Sequence, residues 1–146
     1  MSIAALIAWV ITALAGFFLL SIWIIEYDRE FQSAAATRLP VPVISAHALL
    51  AVSGLLLWIL YLILDETRVA WAAVAVLGAV AVLGLIMAAR WIPVYRAFAA
   101  PGTSLTRINT IPPERNFPLP VVVAHGILAV TTLVLVLLTA LGAGPT

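Results

Sequence analysis

Four stretches of this chain, residues 3–25, 39–64, 69–89 and 116–141, carry no formal charge and are apolar almost throughout. Each exceeds the roughly 18 residues needed to cross a hydrocarbon core about 30 Å thick. Backbone inside such a core finds no water to bond, so a segment exposed to lipid must satisfy its own N–H and C=O groups as a helix. The expectation is an all-α polytopic membrane protein, one domain over 1–146 with four transmembrane helices. Composition removes the soluble alternative: 9% of the residues are charged, against about a quarter in soluble domains.

The second and fourth stretches repeat one another. Residues 40–57 read PVPVISAHALLAVSGLLL and residues 118–135 read PLPVVVAHGILAVTTLVL, which brings the chain's two histidines, His47 and His125, to matched positions. The ends of the first and third stretches match as well, WIIEYD at 23–28 against WIPVYR at 91–96, and on that register Gly16 falls on Gly84. This pattern reads as a tandem duplication of a two-helix unit, with repeat one about 3–64 and repeat two about 69–141. Two crossings per unit make both halves enter the membrane in the same direction, related by a pseudo-two-fold axis along its normal.

Charge sets the expected orientation. Arg29 and Arg38 lie between the first two helices and Arg90, Arg96, Arg107 and Arg115 between the last two, whereas Arg68 alone lies in the middle connection. By the bias of arginine toward the cytoplasmic side, loops of about 26–39 and 92–117 face the cytoplasm of a bacterium and both termini lie outside its inner membrane. The start MSIAALIAWV has no basic region, so the first stretch reads as a retained helix and not a signal peptide. Pro40 and Pro42 open the second helix, where a missing N–H costs nothing. The third is expected from about Trp71 to the WIPVYR segment and the fourth from about Leu119 to Leu141.

An imidazole inside hydrocarbon is a functional-site hypothesis by default. His47 lies seven residues beyond Pro40 and His125 seven beyond Pro118, so at 1.5 Å per residue both sit about 10 Å in from the same ends of their helices. Two neutral imidazoles facing one another at one depth suit axial ligation of haem iron. Directly touching helices are tight for two side chains plus an iron, so the second and fourth helices are expected to be diagonal or splayed. Helical periodicity puts Ala51 and Gly54 on the His47 face and Ala129 and Thr132 on the His125 face, as small surfaces for a flat ring. Gly16 and Gly84 come to similar depth and give a ring edge room to approach backbone. Arg29, Arg38, Arg107 and Arg115 are expected partners for haem propionates, because guanidinium binds carboxylates bidentately.

The arrangement resembles small membrane b-type cytochromes, in which histidines of a four-helix bundle hold haem b and glycines on neighbouring helices make room for it. That resemblance covers His47, His125, Gly16 and Gly84, and it implies a haem-dependent electron-transfer protein or a quinol-linked oxidoreductase component. Many such cytochromes carry four histidines and two haems, whereas two histidines support one bis-histidine haem b. The FPLPVVVAHGILA stretch also looks like that of small bacterial four-helix membrane proteins. Electron exchange with a quinone or a larger respiratory membrane complex follows from the resemblance. For the quinone, Trp23, Tyr27, Trp91 and Tyr95 offer a headgroup-level pocket with Glu26 as a proton acceptor.

Other readings stand beside this one. The histidines can bond neighbouring carbonyls as packing elements, line the path of a transporter, channel or proton conduit, or belong to an accessory subunit or a homo-oligomer. Gly16, Gly54 and Gly84 can serve helix packing, and Met87 can fill a gap or approach a metal. A zinc site would need further ligands. Absence of cysteine removes disulfides, iron–sulfur clusters and thiolate zinc. No phosphate-binding loop, dinucleotide fingerprint or hydrolase motif occurs, nor a basic face with interleaved aromatics for nucleic acid.

Overall fold

A computed structural model describes residues 1–29, 37–99 and 112–143. Four helices account for most of them: α1 Ser2–Arg29, α2 Val41–Leu64, α3 Thr67–Ala99 and α4 Leu119–Ala140, with a 3-10 turn at Pro113–Asn116 before α4. All four are long and apolar enough to cross a membrane. Large apolar side chains such as Leu14, Phe17, Leu49, Ile63, Leu85 and Val130 stand on their outer faces, the distribution a lipid solvent requires. This is a multi-pass, all-helical membrane protein.

The two proline-led starts are built alike. Pro40 and Pro118 hold extended backbone (ψ 127° and 120°). Their carbonyls accept the first amides of the helix, Val43 and Ile44 in α2 and Val121 and Val122 in α4. A second proline in each first turn forfeits only an amide that has no intrahelical partner. At its other end α2 stops on Asp65, which is left-handed at φ 52° and donates its N–H to Tyr61 O at 2.8 Å. Asp is among the few residues that visit this conformation readily.

Helix α3 is longer than its sequence suggests, at both ends. Glu66 O accepts from the amides of Val69 and Ala70, so the helix begins before Trp71. It also runs through Pro93 to Ala99, which removes residues 92–99 from the expected loop. Proline costs the helix one amide bond. Burial of Trp91 and Val94 on either side of it holds the chain in register.

Packing divides the bundle into two pairs. Helix α2 packs most extensively along α3, and α1 along α4, while α1 with α2 and α3 with α4 touch more sparsely. Consequently α2 and α4 are diagonal, and a seam runs between the α2/α3 pair and the α1/α4 pair.

The core is likewise in two parts. One cluster fills the half toward the α2–α3 turn, with Ala5, Trp9, Trp58, Ala73, Leu77 and Val136 at its centre. A smaller one, Trp23, Leu39 and Ile44 with Leu20, Met87 and Phe117 around them, fills the arginine-rich end. Between the two clusters each helix contributes one residue to a separate layer: Gly16, His47, Gly84 and His125.

Candidate functional site

In that layer each histidine is fixed within its own helix pair. His47 on α2 donates from Nδ1 to Val80 O on α3, and His125 on α4 donates from Nδ1 to Thr12 O on α1, both at 3.0 Å. The local reason is the glycine one turn on. A helix carbonyl at position i normally accepts only from the amide at i+4, and its second lone pair is screened by side chains. With Gly84 four residues beyond Val80 and Gly16 four beyond Thr12, no Cβ stands in the way.

The imidazoles occupy those notches. A Cβ on Gly16 would lie 2.9 Å from His125 Cε1, and one on Gly84 3.2 Å from His47 Cε1. Both glycines therefore seat the histidine rings themselves; the ring edge admitted to the backbone is an imidazole.

A carbonyl can only accept, so the Nδ1 of each ring carries the proton and each neutral ring keeps its Nε2 lone pair. Among the described residues neither Nε2 has a hydrogen-bond partner, and neither is a buried polar atom left unsatisfied. The two rings meet across the seam with centroids 6.4 Å apart and planes inclined at 61°. Imidazoles bound trans to one metal through bonds of about 2.0 Å place their centroids about 6 Å apart, and ring planes that share the ligation axis are free to rotate about it. That separation and tautomer are compatible with two imidazole donors to one metal ion, each with its far nitrogen anchored on a carbonyl. Among the described residues no group of three or more His, Asp or Glu side chains converges, which leaves a four-ligand zinc site without its remaining donors.

Of the other small residues, Gly54, Thr132 and Ala51 are already in contact with neighbours. Gly54 is a notch for Trp9, whose Cζ2 would be 2.9 Å from a Cβ there. Thr132 is buried, donates to Leu128 O and stands 3.2 Å from Thr12 Oγ1. Neither offers the open flat surface expected of it. Ala51 is half-buried against the larger core cluster, and Ala129 is half-buried on α4.

At the arginine-rich end, Arg38 is exposed and Arg115 lies with its guanidinium carbon 5.9 Å from the Phe98 ring centroid. Arg107 and the Arg29 side chain lie outside the described residues. The aromatic pairs expected to form a quinone pocket pack on themselves instead. Trp23 stacks on Tyr27 at 4.6 Å and Trp91 lies 5.1 Å from Tyr95. Their indole N–H groups are spent on Thr37 Oγ1 and Glu114 O. Met87 packs with the smaller core cluster.

Glu114 is the residue that sequence reasoning passed over. Fully buried, it accepts from Thr37 Oγ1 at 3.0 Å and from the Arg38 amide. Arg90 donates to Arg38 O at 3.3 Å, so one peptide segment is held between a carboxylate and a guanidinium. These bonds join both connections over the arginine-rich mouth of the bundle, above Leu39. A single acid between Pro113 and Arg115 was the available signal.

No protein-family model, curated protein or solved structure matches this chain.

Proposed function

We propose that this protein is a b-type cytochrome-like component of a bacterial inner membrane, holding one haem b between His47 and His125. The observation that carries the reading is the pair of Nδ1–H···O=C bonds, which leave two Nε2 lone pairs on rings 6.4 Å apart across the seam. Haem bound there supplies a reversible one-electron couple. The carbonyls of Val80 and Thr12 orient the ligating rings and fix their tautomer. Leu39 and Phe117, packed in the cluster above, keep water from the layer on the arginine-rich side. Arg38 and Arg115, near the starts of the two histidine-bearing helices, are the described cations positioned to meet propionates.

Four described arginines, Arg38, Arg90, Arg96 and Arg115, gather at one end, and Arg68 alone stands at the other. This supports the arginine-rich end as cytoplasmic and both termini as external. Electrons then exchange with a quinone in that leaflet or with a larger respiratory membrane complex.

The test is an absorption spectrum of the protein purified in detergent from haem-replete cells. A Soret band that both His47→Ala and His125→Ala abolish is expected. Colourless wild-type protein, or a band that survives either substitution, refutes the ligand assignment.

A further inference from the structure

The two imidazoles also suit a bare metal ion, in protein made without haem, and the surroundings of the layer decide which ion. Among the described residues no group of three or more His, Asp or Glu side chains converges there. Both donors are uncharged, the Nε2 atoms of rings whose Nδ1–H is committed to a carbonyl. Glu26, the acid nearest in sequence to a residue of the layer, stands ten residues past Gly16, about 15 Å along α1. The layer thus offers an ion two lone pairs and no compensating charge.

In hydrocarbon that lack of charge is selective. The cost of taking an ion out of water rises with the square of its charge, about fourfold from a monovalent to a divalent ion. Zinc would in addition want four donors, and hard cations prefer oxygen. A soft, closed-shell monovalent ion remains, copper(I) or silver(I), which two imidazole nitrogens in line satisfy. Bonds of about 2 Å suit centroids 6.4 Å apart, and two-coordination makes no demand on the 61° between the ring planes.

We propose that the histidine layer binds one such cation, copper(I) or silver(I), between Nε2 of His47 and Nε2 of His125. The ion exchanges its water for the two nitrogens, neither ring loses a proton, and nothing is oxidised or reduced. Such binding rests on the same two lone pairs as the haem assignment, and on nothing else in it.

Silver nitrate is the probe, titrated into full-length protein made without haem, in uncharged detergent and chloride-free buffer, with bound silver counted after dialysis and the histidine nitrogens followed by NMR. One silver per chain is expected, with both Nε2 resonances moving together and both Nδ1–H groups retained. His47→Ala and His125→Ala each weaken binding at least tenfold. Met87→Leu, which removes the sulfur nearest the layer in sequence, leaves it unchanged, and zinc(II) binds at least tenfold more weakly than silver. Absence of saturable binding, a shift of one ring alone, binding kept by either alanine variant or lost in Met87→Leu, or zinc held as tightly, overturns the proposal. The NMR result is read on the unsubstituted chain, so it decides the matter even if a variant fails to fold. A Soret band from haem-replete cells without silver binding by the haem-free protein sinks this proposal alone; colourless protein that binds silver sinks the haem assignment alone.

Discussion

His125 Cε1 lies 2.9 Å from the point where a Cβ on Gly16 would stand, closer than carbon atoms approach, while the equivalent distance from His47 to Gly84 is 3.2 Å. The two notches are alike in kind and unequal in tightness. Gly16→Ala must push the His125 ring off Thr12 O, an overpacking that costs about 1–3 kcal/mol. Gly84→Ala needs a shift of only a few tenths of an ångström, and the better helix propensity of alanine, about 1 kcal/mol, offsets it. Thermal unfolding in detergent is expected to show a lower midpoint for Gly16→Ala and little change for Gly84→Ala. Any haem absorbance should fall in the same order.

Thr12 contributes to the site through its backbone. Its hydroxyl donates to Ala8 O at 2.7 Å and lies 3.2 Å from Thr132 Oγ1, but it is the carbonyl that holds His125. Thr12→Val therefore removes a hydroxyl whose proton bonds within its own helix. It leaves the imidazole anchored. Pigment content and band positions are expected to be unchanged; a loss like that of Gly16→Ala would show that the hydroxyl matters to the ring.

Glu114 fastens the arginine-rich mouth. Glu114→Ala leaves the part-buried Arg38 amide without its acceptor, at up to about 1–3 kcal/mol, while the Thr37 hydroxyl keeps Leu39 O at 3.2 Å. Glu114→Gln keeps one acceptor oxygen and should fall between that variant and wild type. Denaturant unfolding in mixed micelles checks the order Ala, Gln, Glu in rising stability.

Orientation is open to direct measurement because the chain has no cysteine. Arg96 and Ala143 are both exposed and lie at opposite ends of the bundle. A membrane-impermeant thiol reagent added to intact cells should label Ala143→Cys, and should label Arg96→Cys only after permeabilisation. The reverse pattern would invert the proposed topology.

Much of this geometry was legible in the amino-acid sequence, and for identifiable reasons. Apolar run length defined the four helices, the prolines marked the starts of α2 and α4, and the matched registers put His47, His125, Gly16 and Gly84 at one level. What could not be read was which side chain fills which notch. Gly54 looks like the glycines of the histidine layer, yet it receives Trp9 from α1. Trp23 and Trp91 look like ordinary interfacial aromatics, yet their N–H groups are committed to Thr37 and Glu114. Glu114 and Thr37 are 77 residues apart, and neither shows periodicity or a motif that would link them. The extension of α3 through Pro93 was hidden for a related reason: burial of Trp91 and Val94 outweighs a local breaker, and burial is a tertiary property.

Because each histidine is tethered inside its own helix pair, the gap between the rings is governed by how closely two semi-rigid halves approach, and hardly at all by torsions of the rings. Trp9 in the Gly54 notch and the Trp58 bond to Ser2 O cross between those pairs and hold that approach fixed.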